Sequence, residues 1–129
     1  MDSTGWIEHF LGTPLGSKFR PYLDDSTPEN AVSSSLVIYE VYKRLRPTRG
    51  EKTAIGFAEQ IRSATRLVEV DFHLAVAAAD LSLGEKISMA DSIILATARQ
   101  ERALLVTTDE KLKGIPRVKW IDPGPKQSR

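Results

Sequence analysis

The chain has no cysteine and only two histidines, His9 and His73, in 129 residues. The first absence excludes a disulfide framework, a thiolate zinc site and a cysteine nucleophile. The second leaves too little imidazole for a histidine-rich metal centre, and both histidines read as packing or surface residues. No window approaches the roughly 18 apolar residues of a membrane span, and no basic segment followed by an apolar run opens the chain. Neither membrane insertion nor secretion is expected, and a reducing cytoplasm is the natural setting. Gly12 and Gly16 do not form a GxGxxG loop and no Gly-Lys-Ser/Thr occurs, which removes the usual nucleotide cradles. Neither sign of charge dominates: 18 Lys and Arg against 17 Asp and Glu leave a net charge of +1.

What is present fits one soluble domain. The length suits a single core, and 41% hydrophobic with 27% charged residues is a globular rather than a disordered profile. Helical spacing of Trp6, Ile7, Phe10 and Leu11 predicts a short helix over Thr4–Leu11, stopping at Gly12 before Pro14. Ala31–Ser34 reads as a buried strand leading into a helix over Leu36–Arg46, ended by Pro47. A helix from Gly50 to about Ala64, a strand at Leu67–Val70 and a helix over Asp71–Leu83 follow, with Asp71 as N-cap and Gly84 as the stop. Met89–Arg102 is an Ala-rich helix, Ala103–Val106 a buried strand, Thr107–Glu110 a polar turn and Val118–Ile121 a last strand. The alternation implies an α/β domain over residues 1–122 with a mainly parallel sheet covered by helices. Residues 123–129 have tail composition and are expected to fray.

Four carboxylates, Asp2, Glu40, Asp91 and Asp109, stand near junctions between these elements. Each has a plain structural reading. Ser88 and Asp91 form a possible capping box, Glu40 is spaced for ion pairs with Lys43 and Arg44, and Asp2 and Asp109 are well placed as caps. In an open α/β sheet, however, the carboxyl ends of the strands converge, and four acids gathered there repel unless a cation shares them. One shared site explains the four better than four coincidences do. An all-oxygen donor set points to Mg²⁺, with Mn²⁺ able to substitute, and the usual work of such ions is phosphoryl chemistry. The basic run Lys43, Arg44 and Arg46 after Glu40 reads equally as a solvated helix face or as a path for nucleic-acid phosphates, with Tyr39 and Tyr42 as nearby stacking candidates.

The segments DSTGWIEHF, SSSLVIYEVYKRL and MADSIILATARQERALLVTTDEKLKGI together resemble the PIN domain, and specifically the VapC-type toxin ribonucleases of toxin–antitoxin pairs. The resemblance implies a three-layer α/β/α fold with a central, mainly parallel sheet of four to five strands. It implies an Mg²⁺-dependent endoribonuclease in which Asp2, Glu40, Asp91 and Asp109 hold metal, supported by Ser3 and Thr107. It further implies a cognate antitoxin partner, an RNA substrate and a homodimer. The family pattern places several apolar residues before its first acid, whereas only Met1 precedes Asp2. A nearly absent central strand is therefore expected, as is a more stable and more active chain when about four apolar residues are added upstream. Two alternatives stand beside this reading. One is a PIN-fold module that binds RNA or an antitoxin-like protein without cutting. The other is a metal-dependent phosphatase, disfavoured because Ser3 and Thr4 follow Asp2 where an Asp-x-Asp pair would be needed.

Overall fold

In the computed structural model, residues 1–125 are described. The first helix, α1 (Ser3–Leu11), begins where the Asp2 side chain accepts the Gly5 N–H at 3.2 Å. It ends at Gly12, whose φ of 68° lets its N–H turn back to the Glu8 and His9 carbonyls. A second helix that the sequence reading did not include, α2 (Pro14–Leu23), follows at once. Thr13 caps it by accepting the Gly16 N–H, and Pro14 supplies a preset first turn. Gly16 is where α2 crosses α1: a Cβ there would collide with the Glu8 carbonyl. This close crossing buries Phe19 completely.

Strand β1 (Val32–Ser34) leads into α3 (Ser35–Arg49), capped by Ser34 accepting the Leu36 N–H at 3.2 Å. Contrary to expectation, α3 runs through Pro47. The proline sits within the last turn, where it forfeits a single hydrogen bond to the Lys43 carbonyl, and Gly50 closes the end by donating to the Arg46 carbonyl at 3.0 Å. Then come α4 (Glu51–Ala64) and β2 (Arg66–Val68), which pairs in parallel with β1 through Ser33 opposite Leu67. Helix α5 (Phe72–Glu85) is capped by Asp71 as expected, but it passes through Gly84 and stops at Lys86, which takes the left-handed conformation at φ 55°. Helix α6 (Met89–Gln100), β3 (Leu105–Thr107), a single 3-10 turn (Glu110–Leu112) and β4 (Val118–Trp120) complete the order. Residues 126–129 of the expected frayed tail lie outside the described residues.

The architecture is α/β with parallel strands and a helical majority, as expected, but the sheet is smaller than expected. Among the described residues the strands form two separate parallel pairs, β1–β2 and β3–β4, rather than one sheet of four to five. In the region between them the Asp2 N–H donates to the Val106 carbonyl at 3.2 Å. One bond of this kind makes no ladder. The halves are joined instead by side chains: Val37, Val41 and Leu45 of α3 pack with Ile94, Leu95 and Ala98 of α6 and with Leu105 of β3. Trp6 is in this core and Phe10 packs against it. Among the described residues no helix is long and apolar enough to cross a membrane.

Candidate active site

The four carboxylates found by sequence meet. Asp2, Glu40, Asp91 and Asp109 line one pocket of roughly 320 Å³, together with Ser3, Thr4, Thr108 and apolar Ala90 and Ile94. Each arrives from a different segment, and each is placed by local backbone chemistry. Asp2 is the N-cap of α1. Glu40 lies on the second turn of α3, next to the buried stripe that includes Val37 and Val41. Asp91 is in the first turn of α6, where its N–H donates to the Ser88 hydroxyl at 3.2 Å. Asp109 caps the 3-10 turn by accepting the Lys111 N–H at 2.9 Å.

Thr107 joins two of these acids. Its side chain is fully buried at the end of β3; the hydroxyl donates to Asp2 Oδ2 at 2.5 Å and accepts the Asp109 N–H at 3.0 Å. The hydroxyl thus fixes Asp2 and the Asp109 backbone at once. Ser3 lies beside Glu40 and favours its ionised form.

Crowding and burial disfavour full ionisation of this group. Burial pushes the Asp2 carboxyl up, against the opposing pull of the Thr107 hydroxyl and the Gly5 amide. Burial likewise raises Glu40, and Glu40 Oε1 is buried without a hydrogen-bond partner. Asp91 is pushed up to about 7, by burial first and then by a hydrogen bond and charge repulsion from Asp109. Near neutral pH the Asp91 carboxyl is therefore partly protonated beside Asp109. Among the described residues no three Asp, Glu or His side chains already draw close enough to cage an ion. The pocket brings the donors to one wall, and they must still close on any cation they bind.

A second groove, of roughly 500 Å³, adjoins the acid pocket through Glu40 and is lined by Tyr39, Lys43, Arg44, Pro47 and Thr48. Two of the three basic residues singled out by sequence are therefore beside the site. Arg46 is exposed but does not line the groove. It lies six positions from Glu40, on a different face of α3. Thr4 and Thr108 were missed as pocket-lining residues, although each directly adjoins a residue already noted, Ser3 or Thr107. His9 and His73 are absent from the pocket.

A family model for the PIN domain matches residues 1–118. No curated protein sequence matches significantly. Solved structures do. A toxin–antitoxin complex from Klebsiella pneumoniae superposes with a TM-score of 0.75 at 24% identity, covering 95% of both chains. VapC20 of Mycobacterium tuberculosis, a sarcin–ricin-loop-cleaving toxin, gives 0.65 at 18% identity over 80% of this chain and 82% of its own. VapBC2 from Rickettsia felis, bound to a DNA fragment from its promoter, gives 0.68 at 17% identity over 92% and 93%. At these identities the likeness is one of fold.

Proposed function

Because the chain belongs to the PIN domain family, we propose that it is a divalent-metal-dependent endoribonuclease and the toxin of a toxin–antitoxin pair. The observation that carries this reading is the convergence of four acids from four segments on one pocket, one of them with a buried oxygen lacking a partner. Such a group is costly unless a cation relieves it. The donors fit a hard ion in kind: they are carboxylates with hydroxyls beside them, and no sulfur or imidazole is present. Asp2, Asp91 and Asp109 would be the nearest ligands to Mg²⁺ or Mn²⁺, with Glu40 direct or through water. When bound, such an ion activates water and offsets charge on the phosphate and leaving oxygen.

The chain's own residues supply the positioning. Thr107 holds Asp2 and the Asp109 backbone in fixed relation, and Ser3 favours the ionised form of Glu40 against the burial that raises it. Lys43 and Arg44, in the groove that begins at Glu40, would hold flanking RNA phosphates, and exposed Tyr39 offers a face to a splayed base. An antitoxin that covered this groove would block the site. The toxin–antitoxin complex among the solved neighbours supports such a partner, and the exposed apolar side chains of α5 support a homodimer.

The test is direct. Purified chain free of any antitoxin is incubated with structured RNAs, with and without Mg²⁺, beside Asp91→Asn. Mg²⁺-dependent cleavage lost in the variant is expected, with weaker Mn²⁺ binding by calorimetry. Equal Mn²⁺ affinity in both forms would reject the metal site. A small protein from the neighbouring reading frame is expected to co-purify; harmless expression with no such partner would reject the toxin role.

A further inference from the structure

Trp120 is the largest side chain of β4, yet among the described residues it joins none of the apolar clusters that make the core. It lies half-buried, and its indole Nε1 donates to the Thr108 carbonyl at 3.1 Å. The Lys113 ammonium sits over the ring, 4.1 Å from its centre. What marks this ring is therefore a carbonyl at its edge and a cation over its face, and the carbonyl belongs to the segment that carries Asp109.

The Thr108 carbonyl and the Asp109 N–H are the two ends of one peptide unit, which is planar and turns as a body. The indole holds its carbonyl end, and the Thr107 hydroxyl holds its N–H end at 3.0 Å. From this two-ended grip we infer that Trp120 is a positioning residue of the acid pocket: its indole N–H fixes the peptide between Thr108 and Asp109, and with it the direction in which Asp109 leaves the backbone to join Asp2 and Asp91 on the pocket wall.

The backbone on either side shows why a side chain is needed here. The preceding peptide is anchored where the Thr107 carbonyl accepts the Ile121 N–H at 2.8 Å, and the following one where the Asp109 carbonyl accepts the Leu112 N–H at 3.0 Å. Rotation of the peptide between them is the freedom left to Asp109. The β3–β4 ladder ends at the pair Thr107 and Trp120, so no further residue of β4 pairs with Thr108. The indole N–H reaches one residue past that end and supplies the missing donor.

The held peptide bears on more than one acid. The Thr107 hydroxyl that accepts its N–H also donates to Asp2 Oδ2, and Asp109 Oδ1 accepts the Lys111 N–H at 2.9 Å to start the 3-10 turn. Lys113 follows that turn directly. Its ammonium is attracted to the ring face, so one indole grips the chain both before and after Asp109.

Any effect on metal binding rests on the metal site proposed for the four acids, whereas the grip on the peptide does not. Trp120→Phe separates the two, because it keeps an aromatic face beneath Lys113 and removes the N–H donor. In metal-free protein, amide hydrogen exchange is followed by NMR at Asp109 and at Leu105, whose N–H is bonded to the Arg117 carbonyl at the other end of β3. Asp109 is expected to exchange about fivefold faster in the variant, the weight of roughly one hydrogen bond, while Leu105 keeps its rate. In calorimetric titration the variant is expected to bind Mn²⁺ about tenfold more weakly, the usual size of a lost partner behind a metal ligand. In the wild type, which needs no variant, the Trp120 indole N–H should exchange at least about tenfold more slowly than in the urea-unfolded chain.

Unchanged Asp109 exchange in a folded variant overturns the inference, as does unprotected indole exchange in the wild type. Equal acceleration at Asp109 and Leu105 also overturns it, because Trp120 would then only brace the strand. Equal Mn²⁺ affinity in the two forms overturns the positioning role even if Asp109 exchanges faster. A wild type that binds no Mn²⁺ rejects the metal site instead, and faster exchange confined to Asp109 then still upholds the grip on the peptide.

Discussion

The Asp91 carboxyl holds its proton to about pH 7 in the folded protein, against an ordinary value near 4. Between those pH values the folded protein carries a proton that the unfolded chain has released. Stability from this group is therefore fully present below about pH 4 and is lost as pH rises through about 7. In chelator-treated protein, Asp91→Asn should gain stability relative to the wild type as pH is raised from 5 to 8 (roughly the window those two values set). Urea unfolding at both ends of that range measures it, and a pH-independent difference would contradict the crowding of Asp91 against Asp109. Thr107 makes a different prediction. Thr107→Val keeps the shape but strips Asp2 of one donor and leaves the Asp109 N–H without its acceptor. A loss of about 1–3 kcal/mol is expected in denaturant melts, together with reduced Mg²⁺-dependent cleavage. Unchanged stability would mean that water replaces the hydroxyl without cost.

Helix α2 shows how one small residue sets the approach of two elements. At Gly16 any Cβ would meet the Glu8 carbonyl and the His9 nitrogen, which are backbone atoms of α1 and cannot swing aside. Gly16→Ala should force the helices apart and loosen Phe19, at a cost of about 1–3 kcal/mol. Helix propensity alone predicts the opposite sign, since alanine is favoured over glycine in a helix by about 1 kcal/mol. Thermal melts decide between the two, and a stabilised variant would show that the α1–α2 crossing yields easily.

On the scale of the whole molecule, one face of α5 is unusually apolar for a surface: Phe72 is 77% exposed and Leu83 80%, with Val76 between them and Met89 nearby. Phe72, Val76 and Leu83 recur on one side of the helix. Contiguous exposed apolar area of this kind marks an interface. If it pairs two copies, Leu83→Glu should convert a dimer to a monomer in sedimentation or light scattering while leaving Tm within a few degrees. A wild type that is monomeric at micromolar concentration would exclude this face as a self-association surface.

Much of this protein is determined by local sequence. The acids Asp2, Asp71 and Asp109 and the hydroxyls of Ser34 and Ser88 start helical segments because a side-chain oxygen accepts an otherwise unpaired N–H a few residues on. The period of the apolar residues likewise outlines α3 and α6 without reference to distant segments. Other features depended on tertiary contacts. Pro47 and Gly84 look like helix stops, yet both are absorbed where the surrounding turn tolerates them. Helix α2 carries Pro14 and Pro21 and a weakly apolar sequence; it is held by its crossing with α1 through Gly16 and by the burial of Phe19. The identities of Asp2, Glu40, Asp91 and Asp109 and their meeting at one site could be read from the sequence, but the raised Asp91 carboxyl and the orphaned Glu40 oxygen could not. Those follow from burial and from distances between segments far apart in the chain, and a one-dimensional pattern contains neither. The division of the strands into two pairs is of the same kind: each strand is legible by itself, whereas which strands pair, and the core of α3, α6 and β3 that joins the pairs, is set by contacts between distant segments.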